Sequence, residues 1–108
     1  MTDYESDYLA LLINKPELIE VSQMKARFFD NPDNQNMFNI ITNCYKKYKT
    51  LSVPKMLEEN KKFNIDYYTV LLTDTLLSES NWKEQMELAE ENILRKFKER
   101  YIKKRFYY

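Results

Sequence analysis

The apolar positions of this chain recur at helical spacing along most of its length. Between about Asp33 and Tyr48, the residues Met37, Phe38, Ile41, Cys44, Tyr45 and Tyr48 fall at i, i+4, i+7 and i+11, which is one face of an amphipathic helix. Trp82, Met86, Ala89, Ile93 and Phe97 lie in one narrow arc at about 100° per residue. They predict the longest helix, opened by Asn81 and Glu84 in a capping arrangement. Glu5, Tyr8, Leu9, Leu12 and Ile13 give a first helix to about Asn14, with Thr2 and Glu5 reading as a capping box.

Shorter elements fill the intervals. Pro16 suits the first turn of a helix, where its missing N–H has no partner to lose, and predicts a short helix over Pro16 to Gln23. The run Asp30, Asn31, Pro32, Asp33, Asn34 is turn and N-cap chemistry, hence a loop. Ser52 ahead of Val53 and Pro54 reads as the cap of a helix through Lys61, and Asp66 as the cap of one reaching about Leu77. The expected fold is all-α: a compact bundle of about six helices with a long C-terminal helix. Residues 1–101 form its globular head and 102–108 a basic helical extension.

Composition then narrows the chemistry. A chain of 108 residues supports one core, and its 44% apolar content is that of a folded domain. It has no glycine, so no glycine-rich phosphate loop, dinucleotide fingerprint or glycine-based nucleophile elbow can be written in it. It has no histidine, the commonest proton-transfer residue near neutral pH and the commonest metal ligand. Cys44 is the single cysteine, so an intrachain disulfide or thiolate metal cluster is not available. On the core stripe it reads as a small hydrophobe. The pairs Glu58–Glu59 and Glu90–Glu91 sit on adjacent positions that diverge by about 100° on a helix and read as solvated. Trp82 reads as a packing anchor. A non-enzymatic protein without cofactor or metal is expected.

Apolar runs fall far short of the roughly 20 residues that span a bilayer, and the acidic N-terminus is unlike a signal peptide. A cytoplasmic protein with no membrane partner is expected. The net charge of zero conceals a gradient: residues 95–108 hold seven basic residues and one acidic, leaving the first 94 with a net charge of −6.

The basic end supplies the candidate partner-binding residues: Arg95, Lys96, Arg100, Tyr101, Lys103, Lys104, Arg105 and Phe106. Arg100 and Lys104 fall on the line that core residues occupy earlier in the last helix, which predicts that the helix leaves the head near Tyr101. Three readings compete for this segment. Cations interleaved with Tyr and Phe can contact phosphates and stack on bases of single-stranded nucleic acid, although the acidic head opposes long-range attraction. A membrane-surface helix needs a wide apolar face that the segment lacks. Cations at a helix C-terminus also complement the macrodipole and account for part of the charge without any ligand.

In order and spacing, the pieces resemble the N-terminal domain of DnaB-type replicative helicases. The stretch "ESDYLALLINKPELIEV" is similar to that family's acidic start and Leu-rich first helix. "ARFFDNPDNQNMFNII" is similar to its aromatic–"IF" segment, with Phe28 or Phe29 at the aromatic position and Met37-Phe38 at "IF". "VPKMLEENKKFNIDYYTVLL" and "NWKEQMELAEENILRKFKERYI" parallel its later helices, so the likeness spans roughly residues 5–102. The sequence departs from the pattern in carrying Ala10 near a usual glycine and Asn34 or Gln35 at a usual histidine. The last helix aligns only with a one-residue slip between Asn81 and Arg95, so partner-contact residues are not carried across individually. The resemblance implies a head that joins a collar above the motor ring and helps recruit primase or a helicase loader. Its partners would be helicase subunits, primase or loader, with weak self-association and a possible weak single-stranded DNA contact through the tail. The family chain continues into a helical hairpin, a linker and the motor, whereas this sequence stops at Tyr108. Two origins are expected as alternatives: a domain of a longer helicase, or a short phage or mobile-element protein that mimics the head to modulate the primosome.

Overall fold

The computed structural model describes residues 3–73 and 81–106, with side chains through Ile102. Five α-helices follow in order: α1 (Tyr4–Asn14), α2 (Pro32–Tyr48), α3 (Val53–Glu59), α4 (Ile65–Leu72) and α5 (Trp82–Phe106). Two 3-10 helices, Pro16–Glu20 and Ala26–Phe28, lie between α1 and α2, and no strand occurs among the described residues. The fold is all-helical and compact. The sixth helix expected over Pro16–Gln23 is instead the first 3-10 segment, ending at Glu20. Beyond it the Ser22 hydroxyl accepts the Met24 N–H at 3.3 Å and pairs with the Tyr8 hydroxyl, which turns the chain inward toward α1.

α1 is the centre of the molecule. Tyr8 through Ile13 are six consecutive buried residues, so this helix is apolar on every side and enclosed by neighbours rather than lying on a surface. α5, α4, α2 and the first 3-10 helix all pack on it. Burial of each such Leu or Ile contributes about 1.5–3 kcal/mol relative to exposure, which is why a short helix is stable here. Its N-cap is Asp3, whose Oδ1 accepts from the Glu5 N–H at 3.1 Å and the Ser6 N–H at 3.4 Å. The expected capping box is thereby displaced: Thr2 lies outside the described residues, and the Glu5 carboxylate bonds elsewhere. It accepts the backbone N–H groups of Asp30 (2.6 Å) and Asn31 (3.3 Å) and the Nδ2 of buried Asn34 (2.9 Å). Asn34 Oδ1 in turn accepts the Tyr67 hydroxyl at 2.5 Å, so one carboxylate ties α1, the loop before α2, α2 and α4 together.

α2 begins at Asn31, which caps the Asp33 N–H at 2.8 Å, and buries Met37, Phe38, Ile41, Cys44 and Tyr45 as its stripe required. Ile40 and Thr42 are buried too, because packing on both α1 and α3 widens the covered face. Tyr48, placed by its spacing on the same stripe, is exposed, with Lys55 Nζ 4.3 Å from its ring centroid. The helix stops at Lys49 in the left-handed region (φ 57°), a place usually taken by glycine, which this chain does not contain.

α3 ends at Glu59, short of the expected Lys61, and Ser52 makes no side-chain capping bond. α4 is capped by Asn64, accepting the Tyr67 N–H at 2.9 Å, rather than by Asp66, which instead lies in the first turn. The expected continuation to Leu77 lies partly outside the described residues. Asn14 Nδ2 donates to the Ala10 carbonyl at 2.9 Å and the Leu71 carbonyl at 3.3 Å, fixing α4 against the end of α1. α5 begins directly after Asn81 and buries Met86, Ala89 and Ile93, with Trp82 and Leu94 packed partly against the core and Phe97 half-buried against Phe28.

Candidate interaction site at the end of the long helix

α5 runs about 37 Å at 1.5 Å per residue, and its character changes along that length. In its first half the inward line of Trp82, Met86, Ala89 and Ile93 lies against the head. Past Ile93 the same line carries Phe97 and then Arg100. Phe97 meets Phe28 with ring centroids 5.0 Å apart. The Arg100 guanidinium lies over Phe97, donates Nη2–H to the Phe28 carbonyl at 3.2 Å, and places Nε 3.5 Å from Asp30 Oδ1. The Arg27 guanidinium lies 5.4 Å from the centroid of the Phe28 ring. The result is a cluster of two rings and two cations: Phe28, Phe97, Arg27 and Arg100. Each cation–ring contact at such sites is worth about 0.5–1 kcal/mol.

Two clefts open on either side of Arg100 and Asp30. The larger, about 370 Å³, is lined by Arg27, Phe29, Gln35, Phe97 and Tyr101 in addition to that pair. The smaller, about 210 Å³, is bounded by Lys96 and Ile93 on one side and by Asp3, Glu5 and Asn34 on the other. A third cleft of about 260 Å³ lies between the first 3-10 helix and α2. There the polar groups already answer one another, Lys49 Nζ standing 3.5 Å from Glu20 Oε1 and the Tyr45 hydroxyl donating to it at 3.4 Å.

The structure divides the residues expected to bind partners. Lys96 lines the smaller cleft, Tyr101 the larger, and Arg100 both. Arg95 is placed elsewhere: its Nη2 donates to Asn92 Oδ1 at 2.8 Å and its Nη1 stands 3.4 Å from Glu99 Oε1, a ladder along its own helix. Lys103, Lys104, Arg105 and Phe106 continue the helical backbone, so α5 crosses the boundary expected at 101–102 without a break. Their side chains, and Tyr107 and Tyr108, lie outside the described residues. Tyr101 and Ile102 are 54% and 51% exposed.

Arg27, Phe28 and Asp30 were not expected at this site. They are some 70 residues away in sequence, and no local spacing connects them to Arg100. The signal that existed was the position of Arg100 on the core line of α5, which required something to receive its side chain.

One carboxylate expected to be solvated is not. Glu90 turns inward, accepting the Tyr8 hydroxyl at 3.1 Å, while Glu91 stays exposed. The two diverge for the reason given by helical geometry, but the inner one falls beside buried Tyr8, which pairs with half-buried Ser22. Burial pushes the Glu90 carboxyl above its ordinary range, partly offset by bonds from the Tyr8 hydroxyl and the Gln23 N–H, with Glu87 adding a smaller upward push. Burial also pushes the Tyr8 hydroxyl well up, and moves that of Tyr67 up to about 12.

Among the described residues, no group of three or more acidic or cysteine side chains is placed to hold a metal ion. Cys44 is buried and its thiol lies 3.4 Å from the Thr50 carbonyl, inside the core. No helix among the described residues is long and apolar enough to cross a membrane. In comparisons with known proteins, no family model, no curated protein and no solved structure matches the chain.

Proposed function

We propose that the chain is a non-catalytic protein-docking domain of DNA replication, acting in the cytoplasm as the N-terminal head of a DnaB-type helicase does, by engaging helicase subunits, primase or a loader. The observation that carries the docking reading is the division of α5. Its first half is fixed in the core through Met86, Ala89 and Ile93, and its end presents Tyr101 and Ile102 among cations beside a cleft. Aromatic and arginine side chains next to a concavity are the composition of protein interfaces. The assignment to replication rests on the sequence resemblance. A short protein mimicking this head, from a phage or mobile element, would use the same surface.

The test immobilises the full chain and presents primase, loader and intact helicase separately, at low and moderate salt. Retention of at least one of them is expected, and retention of none under either condition would remove the replication assignment. A second reading, single-stranded nucleic-acid binding, is favoured by the two guanidinium–phenylalanine contacts and the seven cations of the basic end. It requires affinity that falls with salt by about 0.7 in log–log slope per phosphate neutralised, and its loss when Lys103, Lys104 and Arg105 are changed to Glu.

A further inference from the structure

We infer that the larger cleft at Arg27 and Arg100 is a receptor for an acidic peptide segment bearing an apolar side chain. This deepens the docking reading and rests on it. Its elements are two guanidinium groups in one lining, each near a ring of the Phe28–Phe97 pair, and the buried Phe29 ring. Only one carboxylate, Asp30, lines that cleft, so the lining carries a net positive charge.

The donors are available. Arg100 has five N–H groups, and its described bonds use those at Nε and Nη2. Arg27 is exposed, and no carboxylate forms an ion pair with it among the described residues. The planar fork of each guanidinium is pre-organised for a carboxylate, so less freedom is lost per bond formed. The exposed Tyr101 ring at the cleft wall provides the apolar contact for a neighbouring side chain of the peptide.

A polyanion fits less well. A nucleic-acid backbone needs a track of cations. Beyond Arg100, the adjoining cleft presents Asp3, Glu5 and Asp30 against the single additional cation Lys96. A peptide carboxylate needs only one fork, and avoids that acidic wall.

The probe is a fluorescein-labelled hexapeptide alternating Asp with Leu or Phe, titrated with the full chain and read by fluorescence anisotropy. A dissociation constant on the order of 100 µM is expected for one forked carboxylate and one apolar contact. The same peptide with asparagine in place of aspartate should show no saturable binding. Arg27→Gln should weaken the acidic peptide about tenfold, the value of one charge-assisted bond, while the melting temperature falls by only about 2–8 °C, the loss of the exposed Arg27–Phe28 contact. Arg27→Lys should fall between, keeping the charge without the fork. Replacing Lys103, Lys104 and Arg105 by Ser should change the affinity less than threefold.

Equal binding by wild type and Arg27→Gln overturns the inference, as does loss of binding only when the three tail residues are replaced. Tighter binding of a labelled oligothymidylate that displaces the peptide overturns it in favour of nucleic acid. Retention of primase or loader by both wild type and Arg27→Gln leaves the docking reading intact and removes this one. Peptide binding without retention of any replication protein does the reverse.

Discussion

α1 and α5 are the two helices with the most extensive mutual packing, and they are built on opposite plans. α1 is enclosed: between Tyr8 and Ile13 no residue reaches solvent to any extent that a partner could use. α5 gives up one line of residues to the core and keeps the rest of its circumference, with Leu88 on its outward side 52% exposed. A helix committed on every side holds the structure. A helix committed along one line holds the structure and still has surface to offer, and the candidate site lies where that line runs out at Arg100.

The contrast can be broken directly. Leu12→Ala in α1, at a site with 0% exposure and neighbours on all sides, should lose about 2–5 kcal/mol in urea unfolding. Leu88→Ala in α5 should stay within about 0.5 kcal/mol of wild type. Comparable losses from the two would mean that α5 is covered over more than one line.

The contact between the two helices includes the Tyr8–Glu90 bond, which sharpens the comparison through pH. The Glu90 carboxyl has a folded-state pKa raised above 4.5, so the folded form binds its proton more tightly than the unfolded chain does. The contribution is therefore fully present below pH 4.5 and is lost as pH rises through the folded value. Glu90→Gln should be more stable than wild type at pH 7, and the difference should vanish below pH 4.5, in urea midpoints taken at both pH values. A difference that persists at low pH would show that charge is not the cause. At the alkaline end, Tyr8 and Tyr67 are both raised above the ordinary 10, so stability should decline as pH climbs past 10.

The smallest effect is a control outside both helices. Lys49→Gly at the left-handed C-cap of α2 should raise stability by about 0.5 kcal/mol, or the melting temperature by about 2–4 °C. The gain from removing a Cβ there is set against greater freedom of the unfolded chain and loss of an exposed Lys49–Glu20 pair worth little.

Much of the fold was legible in the sequence because its helices carry periodic apolar positions. Met37, Phe38, Ile41, Cys44 and Tyr45 on α2, and Met86, Ala89 and Ile93 on α5, went where their spacing sent them. The ends of helices were less legible, because several neighbouring residues can cap equally well and tertiary contacts choose among them. Asp3 caps α1 next to Thr2, and Asn64 caps α4 ahead of Asp66. Glu5 had the right spacing for a capping box, yet its carboxylate bonds to the loop before α2, a choice visible only once the two segments meet. For the candidate site, the basic character of the end of α5 and the misplaced cation on its core line could be read. The aromatic and acidic partners at Phe28 and Asp30 could not, since they come from another part of the chain. The inward turn of Glu90 was missed for the same reason: whether a helical carboxylate faces water depends on what stands opposite, here Tyr8.

The enclosure of α1 has a consequence for the making of the protein. Translation delivers this most apolar segment well before one of its chief covers, α5. Until Met86, Ala89 and Ile93 have left the ribosome, the flank of α1 that they close has no lasting shelter. A nascent chain of this design carries an open greasy seam between the synthesis of α1 and that of α5, and its yield in a cell depends on how well that seam is guarded in the interval.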